Sequence, residues 1–159
     1  MSSLRAWALE GLPEVRPGDD LAALLRDDAY EPGDVLVIAH KVVSKAEGAL
    51  RAALPSHPAV VIADSFGRAW RHGQCDVAIG IAGLRALDDW RGRRDPRGLE
   101  LRATVIAIAD EAAAAADLAR DKASREPAVV VRGLERYVTD EDGPGAASLV
   151  RPLEEDLFT

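Results

Sequence analysis

Apolar residues in this chain are grouped in short consecutive runs, and each run predicts a buried β-strand. The predicted strands cover residues 35–39, 59–63, 99–109 and 128–131. Consecutive apolar positions are typical of strands that are covered on both faces. Two helices are predicted between them, one capped by Asp19 or Asp20 and ending near Ala29, the other alanine-rich, capped by Asp110 and ending near Lys122. This mixed α/β order predicts a fold of the α+β class.

The segments between these elements are predicted to be loops. Residues 11–18 contain two prolines and two glycines, and residues 49–58 form a short, alanine-rich connection. Residues 64–74 are polar, basic and interrupted by glycine, which is the composition of a ligand-binding loop rather than of a core element. Residues 88–98 are charged and residues 139–147 are polar and glycine-rich.

Composition narrows the possible classes of protein. A chain of 159 residues with 48% hydrophobic and 30% charged residues is predicted to form a single globular domain over residues 1–159. Its formal net charge of −7 argues against nucleic acid as a partner. No apolar run approaches the roughly 20 residues of a membrane-spanning helix. The N-terminus has no signal-peptide pattern and Cys75 is the single cysteine, so we expect a cytoplasmic protein.

Familiar catalytic motifs are absent from the sequence, including the phosphate loop, the dinucleotide fingerprint and the zinc-binding patterns. Asp64 and Ser65, however, follow the second predicted strand and offer a carboxylate and a hydroxyl to a hard cation such as Mg²⁺ or Mn²⁺. Arg68 and Arg71 come next and could neutralise phosphate oxygens. The alternative is a solvated turn with surface arginines.

A second candidate segment, His40 to Gly48, follows the first predicted strand. It contains Lys41 and Lys45, two of only three lysines in a chain whose other basic residues are arginines. A lysine at the end of a strand can reach a nucleotide phosphate as a compact charge. The alternative is an exposed helical turn that carries both lysines on one face.

Several longer motifs occur in a fixed order. They are Gly-Leu-Pro-Glu-Val-Arg-Pro-Gly-Asp-Asp-Leu (11–21), Lys-Val-Val-Ser-Lys-Ala-Glu-Gly (41–48), Asp-Ser-Phe-Gly-Arg-Ala-Trp-Arg-His-Gly-Gln (64–74), Asp-Val-Ala-Ile-Gly-Ile-Ala-Gly-Leu (76–84), Arg-Gly-x-Arg-Asp-Pro-x-Gly (91–98), Ala-Asp-Glu-Ala-Ala-Ala-Ala-Ala-Asp (109–117) and Val-Val-Val-Arg-Gly-Leu (129–134). With these motifs the chain resembles the coenzyme F420-0:L-glutamate ligase family, including the ligase domain of bifunctional actinobacterial F420 ligases.

The resemblance implies a ligase that uses GTP to join L-glutamate to F420-0 through an acyl phosphate. It also implies Mn²⁺ or Mg²⁺ as metal, K⁺ as a helper ion, a two-lobed mixed α/β chain and a homodimer. The residues that match the family's GTP-binding loop are Leu12, Pro13, Glu14 and Val15. Lys45 matches a further GTP contact, and Asp64 and Ser65 match the metal-binding Asp-Thr pair. No catalytic residue is implied.

The chain departs from the family's pattern in three places. His40 replaces a serine that contacts GTP, and Arg125-Glu126 alter a late Lys-x-x-Gly-x-Pro segment. Residues 49–58 stand where the family has several dozen more residues of its second lobe, including a metal-binding aspartate and a GTP-contacting asparagine. The sequence is therefore predicted to carry an internal deletion at this junction.

These departures leave three hypotheses open. The first is an active, minimal ligase, in which the lost carboxylate is supplied by Asp76, Asp110, Glu111 or another chain. The second is a catalytically inactive remnant that acts as a regulatory or scaffold partner of a full-length F420 ligase. The third is a general module that binds nucleotides or phosphorylated metabolites, which the arginines of residues 64–74 would suit.

Overall fold

The computed structural model describes residues 3–15, 19–26, 30–40, 47–120, 123 and 125–155. A five-stranded mixed sheet forms its centre. The strands of this sheet are β1 (Arg5–Ala8), β2 (Val35–Ala39), β3 (Ala59–Arg68), β4 (Arg71–Ala82) and β7 (Ala128–Arg132). A separate two-stranded sheet pairs β5 (Leu87–Asp89) with β6 (Val105–Ala107), and the helices are α1 (Leu21–Leu25), α2 (Glu47–Ala53) and α3 (Ile108–Ala119). The combination confirms the predicted α+β class.

Strand directions in the central sheet bring several chain segments to one edge. The spatial order is β1-β7-β2-β3-β4, with β2 parallel to β3 and with β7 antiparallel to both β1 and β2. Strands β1, β2 and β3 therefore all point the same way. Their carboxyl ends, together with the start of β7, lie at one edge of the sheet, which we call the carboxyl edge.

Both faces of the sheet are covered, which explains why the strands are apolar at consecutive positions. On one face, here called the α3 face, Val37, Val61 and Val129 pack with residues of α3 such as Ala113. On the other, the α1/α2 face, the alternate residues of the same strands pack with side chains of α1 and α2. These alternate residues include Leu36, Ile38, Val60, Ile62 and Val130. The side chains of β2, β3 and β7 thus alternate between two buried clusters.

The opposite edge of the sheet is held by charged side chains. Arg132, at the end of β7, donates from Nε and Nη2 to the two carboxylate oxygens of buried Asp34, at 2.7 and 2.9 Å. Its Nη1 also donates to Glu31 at 2.7 Å. The hydrogen bonds to Asp34 are the main cause that raises the pKa of the Arg132 guanidinium above its ordinary value. This bidentate pair fixes the end of the sheet that lies away from the carboxyl edge.

The predicted helices form, but with different ends. Asp20 caps α1 by accepting a hydrogen bond from the N–H of Ala23 at 3.0 Å, as predicted, although α1 ends at Leu25. The other helix begins at Ile108, so the predicted third strand shrinks to Val105–Ala107. The prediction that Asp110 caps this helix is wrong. The carboxylate of Asp110 instead accepts a hydrogen bond from the backbone N–H of Ala78 on β4. The first residue of the helix is the buried Ile108.

The prediction of a connection over residues 49–58 is corrected, because its first half belongs to helix α2. Leu50 of α2 and Leu54, directly after its end, bury their side chains in the cluster on the α1/α2 face. Arg51 reaches across to the 139–142 loop and donates to the carbonyl oxygens of Thr139 at 2.7 Å and Asp140 at 3.1 Å. The short junction is therefore integrated into the core.

The predicted ligand loop, residues 64–74, is also corrected. It forms the projecting end of a β-hairpin in which β3 continues to Arg68 and β4 begins at Arg71. No described helix covers this part of the hairpin, and residues 64–74 are exposed. Cross-strand hydrogen bonds satisfy the backbone groups that face the partner strand, and because this part is exposed its side chains can be polar. The polar composition of residues 64–74 correctly indicated that they lie outside the core, but it did not predict that β3 and β4 pair there.

In the part of the chain that the structure describes, no helix is long and apolar enough to cross a membrane.

Candidate functional site

Four segments that the sequence analysis selected lie at the carboxyl edge. Residues 12–15 follow β1, His40 follows β2, Asp64 follows the buried half of β3, and Pro127 precedes β7. Backbone hydrogen bonds hold these chain ends together, from Leu9 N–H to the Ala128 carbonyl at 2.9 Å and from Ala39 N–H to the Pro127 carbonyl at 2.8 Å. In open α/β sheets, ligands bind outside the carboxyl ends of parallel strands. The topology thus makes this edge the candidate site.

Asp64 and His40 are neighbours because their strands are parallel and in register. Ala39 pairs with Ala63, so the next residue on each strand leaves the sheet at the same point. Asp64 Oδ2 lies 3.5 Å from His40 Nδ1, and the two side chains are 60% and 53% exposed. Both follow the alternation that places Ile38 and Ile62 on the α1/α2 face. A carboxylate and an imidazole therefore lie side by side where the α1/α2 face meets the carboxyl edge.

Ser65 lies on the other side of β3 and has different partners. Its Oγ donates to Oδ1 of Asp76, the residue opposite it on β4, at 2.9 Å. Asp76 is only 1% exposed and forms an ion pair with Arg120, which follows α3. Asp64 and Ser65 were predicted to form one metal site. The structure directs their side chains to opposite faces of the strand.

The predicted GTP-binding loop lies beside α1. Leu12 packs against the cluster on the α1/α2 face, whereas Pro13 and Glu14 are exposed and Val15 is half-buried. Pro13 and Glu14 line an open cavity of about 510 Å³ whose other lining residues are Asp19, Asp20, Ala23 and Leu24. Its carboxylates disfavour a phosphate chain but can accept hydrogen bonds from a base or a ribose.

The predicted basic groups do not gather around Asp64 in the described part of the chain. Lys45 lies outside the described residues. Arg68 and Arg71 lie opposite each other on the two strands at the tip of the hairpin. The Arg68 guanidinium donates a hydrogen bond to the carbonyl oxygen of His72 at 2.6 Å. Arg68 lies four positions along the extended strand from Asp64, which is about 13 Å at 3.3 Å per residue.

Two of the three carboxylates considered as replacements for the family's missing metal ligand have structural partners on the α3 face. Asp76 is paired with Arg120, and Asp110 accepts the backbone N–H of Ala78. Glu111 is exposed in the first turn of α3. None of these three side chains is hydrogen-bonded or ion-paired with Asp64 or His40 in the described residues.

The donor set at Asp64 suits a metal ion that a ligand helps to coordinate. No group of three His, Cys, Asp or Glu side chains among the described residues could hold a metal ion alone. Mg²⁺ and related ions in phosphoryl-transfer sites commonly use only one or two carboxylates, and take the remaining ligands from water and phosphate. The exposed Asp64 carboxylate therefore fits such an ion, and His40 adds one further donor beside it.

From the sequence, His40 was assigned to the second candidate segment and to the departures from the family's motif, and it was not paired with Asp64. The signal was present, because the apolar runs at residues 35–39 and 59–63 have equal length. If they are parallel and aligned, residues 40 and 64 must meet. The contact of Ser65 with Asp76 had no comparable signal, because it depends on the register of the hairpin.

Comparisons with known proteins identify the family to which the chain is similar. The family model of the F420-0:gamma-glutamyl ligases matches two segments of the chain, residues 11–58 and 49–133. A coenzyme F420:L-glutamate ligase from Methanopyrus kandleri is 30% identical, over 99% of this chain and 100% of the relative. Ligases of the same name from Halobacterium salinarum and Natronomonas pharaonis are each 32% identical over 97% of this chain, and over 95% and 94% of their own lengths.

These relatives are longer than the chain. The alignment with the Methanopyrus kandleri ligase runs over 251 positions against 159 residues here, so 251 − 159, or at least 92, positions have no counterpart in this chain. The two matches to the family model overlap at residues 49–58, which include most of α2. Because the family model and these relatives together account for nearly all of the sequence, the chain belongs to the F420-0:gamma-glutamyl ligase family.

Proposed function

We propose that this chain is a GTP-dependent ligase that joins L-glutamate to F420-0. The observation that carries the proposal is the convergence of four family segments at the carboxyl edge, with the exposed Asp64 carboxylate among them. The names of the relatives, coenzyme F420:L-glutamate ligase, supply the substrates. The retained core of β2, β3 and β7 supports the same reading, because it holds this edge in place without the missing positions.

In the proposed reaction, the F420-0 carboxylate attacks the γ-phosphorus of GTP, giving an acyl phosphate and GDP. The glutamate amine then attacks the carbonyl carbon, the C–O bond to phosphate breaks, and inorganic phosphate leaves as the amide forms. A bound Mn²⁺ or Mg²⁺ would offset the negative charge on the transferred phosphoryl group. Asp64 would hold that ion, while K⁺ is proposed as a helper ion.

The other residues have proposed roles that follow from their positions. Residues 12–15 would contact the base or ribose of GTP, since the cavity beside them is lined by carboxylates. Lys45 is proposed to contact GTP. Arg68 and Arg71, exposed at the hairpin tip, would attract the anionic F420-0 as it approaches.

We also propose that the chain forms a homodimer. Phe66 and Trp70 on the hairpin are 62% and 86% exposed, which is unusual for large aromatic side chains in a chain with so few of them. Exposed aromatic residues are enriched in protein interfaces. Size-exclusion chromatography with light scattering tests this proposal, and a monomer at micromolar concentration would contradict it.

The proposed activity is tested by an Asp64→Asn variant, which keeps the size of the side chain and removes its charge. Purified wild type and variant are incubated with F420-0, GTP, L-glutamate, Mn²⁺ and K⁺, and glutamylated product and GDP are measured together. We expect the variant to lose product and GDP formation in parallel. Glu141→Gln is the matched control, since Glu141 is an exposed carboxylate outside the carboxyl edge. Unchanged turnover by Asp64→Asn would overturn the proposed role of Asp64.

A catalytically inactive partner of a full-length F420 ligase is the second candidate function. It is favoured by the lack of a three-residue metal cluster in the described part of the chain and by the 92 or more positions without a counterpart. A titration of this chain into a full-length ligase discriminates the two. If this chain is an inactive partner, it changes the turnover rate of the full-length ligase and forms no glutamyl adduct when incubated alone. If it is an enzyme, it forms adduct alone, and the two rates add in the mixture.

A further inference from the structure

We infer that His40 is a second protein ligand of the metal ion at Asp64, and that this nitrogen donor makes the site prefer transition-metal ions such as Mn²⁺ and Co²⁺ over Mg²⁺. The inference rests on the proposed metal-binding role of Asp64. It assigns a new role to a residue that departs from the family's motif, where a serine occupies the position.

The distance between the two donors suits a shared ion better than a direct hydrogen bond. Nδ1 of His40 and Oδ2 of Asp64 are 3.5 Å apart. An N–H···O hydrogen bond normally spans about 2.7–3.2 Å. Two donors that each lie about 2.1 Å from one ion, at an angle of 90–110°, are roughly 3.0–3.5 Å apart. The observed separation lies at the upper end of that interval.

The backbone fixes the positions from which the two side chains project. His40 directly follows Ala39, and Asp64 directly follows Ala63, and these alanines are paired in the centre of the sheet. Residues 35–38 and 59–63 of these strands are almost fully buried, which limits movement of the chain near this point. Two ligands anchored on rigid neighbouring strands keep their spacing without help from a loop.

The surroundings leave room for the remaining ligands of an ion. Both side chains are more than half exposed, so water and phosphate oxygens can complete the coordination. Within the described residues, no arginine or lysine forms an ion pair with Asp64, in contrast to Asp76, which pairs with Arg120. The Asp64 carboxylate is thus not already neutralised by a fixed cation there.

The chemistry of the donors sets the expected selectivity. Mg²⁺ strongly prefers oxygen ligands and releases its water reluctantly, whereas divalent transition-metal ions bind nitrogen donors with an affinity that rises from Mn²⁺ to Co²⁺. A nitrogen donor from His40 in place of a water ligand therefore raises the affinity for Co²⁺ and Mn²⁺ more than the affinity for Mg²⁺.

The test uses the full chain and metal salts alone, so that it does not depend on turnover. Affinities for Mn²⁺, Co²⁺ and Mg²⁺ are measured by calorimetry for wild type, His40→Ala and the control His72→Ala, an exposed histidine on the hairpin. We expect His40→Ala to weaken Mn²⁺ and Co²⁺ binding about tenfold or more, to change Mg²⁺ binding less than about twofold, and His72→Ala to match wild type. Equal losses for all three ions, or no loss, would overturn the inference.

A spectroscopic readout identifies the ligand directly. Pulsed electron paramagnetic resonance of bound Mn²⁺ detects a coordinated imidazole nitrogen, and we expect that coupling in wild type and His72→Ala but not in His40→Ala. Bound Mn²⁺ without nitrogen coupling in wild type would contradict the inference even if the ligase is active. Nitrogen coupling in a chain that makes no glutamylated product would instead contradict the proposed function and leave the His40 assignment standing.

Discussion

Asp64 and Asp76 lie on paired strands near the same edge of the sheet, yet their surroundings differ in almost every respect. Asp76 is 1% exposed, accepts a hydrogen bond from Ser65 and is paired with Arg120. The Asp64 side chain is 60% exposed and has His40 at 3.5 Å and its neighbour's backbone N–H at 2.8 Å. When other protein groups fully compensate the charge of a carboxylate, that carboxylate serves the fold. A carboxylate that is left exposed at the end of a strand can instead bind a ligand of opposite charge.

The difference predicts that the partner of Asp76 matters for folding. Replacing Arg120 by alanine removes a cation that is paired with a buried carboxylate, which should lower the free energy of unfolding by about 3–5 kcal/mol. Urea denaturation measures the change. Arg71→Ala, which removes an exposed arginine, is the control and should stay within about 0.5 kcal/mol of wild type. A loss below about 1 kcal/mol for Arg120→Ala would show that the Asp76 charge does not need this partner.

Asp64 is expected to behave in the opposite way. Asp64→Asn should reduce ligase turnover by about 100-fold or more, since even the residues behind a metal ligand typically contribute 10–100-fold. Its free energy of unfolding should change by less than about 0.5 kcal/mol, because the side chain is exposed. Turnover and urea denaturation are measured on the same preparation. A large loss of stability in this variant would place Asp64 among the structural carboxylates.

Ser65 follows Asp64 on β3 and is hydrogen-bonded to Asp76 on β4, so it tests which of the two carboxylates its side chain serves. Ser65→Ala removes a hydrogen bond to buried Asp76, which should cost about 1 kcal/mol of stability. Mn²⁺ affinity, measured by calorimetry, should be unchanged, because the Ser65 side chain faces away from Asp64. A tenfold weaker affinity would return Ser65 to the metal site that the family resemblance implies.

The smallest expected effect concerns the chain just before β7. Arg125 has a φ of +61°, in the left-handed region that glycine adopts without strain, and it stands where the family resemblance implies glycine. Arg125→Gly should therefore raise the free energy of unfolding by up to about 1 kcal/mol. Thermal unfolding checks this. A decrease would mean that the arginine side chain makes a stabilising contact that outweighs the backbone strain.

The elements that could be predicted from the sequence are those whose pattern lies within a few consecutive residues. Residues 35–39 and 59–63 were predicted as strands because a run of apolar residues is a local property, and the structure confirms both. The β-hairpin and the short α2 were not predicted, because their stability comes from pairing and packing with distant residues. The terminal strand β1 was missed for the same reason, since four residues alone carry little pattern.

The candidate site shows the same division. Asp64 was selected because a carboxylate at the end of a buried strand is a recognisable local arrangement, and the structure places it at the carboxyl edge. Its separation from Ser65 could not be predicted from a loop assignment, since only a strand directs neighbouring side chains to opposite faces. The roles of Leu12, Lys45 and Arg68 in binding remain predictions.

The most direct measurement is the reaction of the purified chain alone with F420-0, GTP, L-glutamate, Mn²⁺ and K⁺, with the products identified by mass spectrometry. The proposed function predicts a glutamyl adduct of F420-0 and an equal amount of GDP. A full-length ligase run in parallel shows that the substrates and conditions are competent. No adduct from this chain, while the full-length ligase is active, would contradict the claim that the carboxyl edge suffices for catalysis.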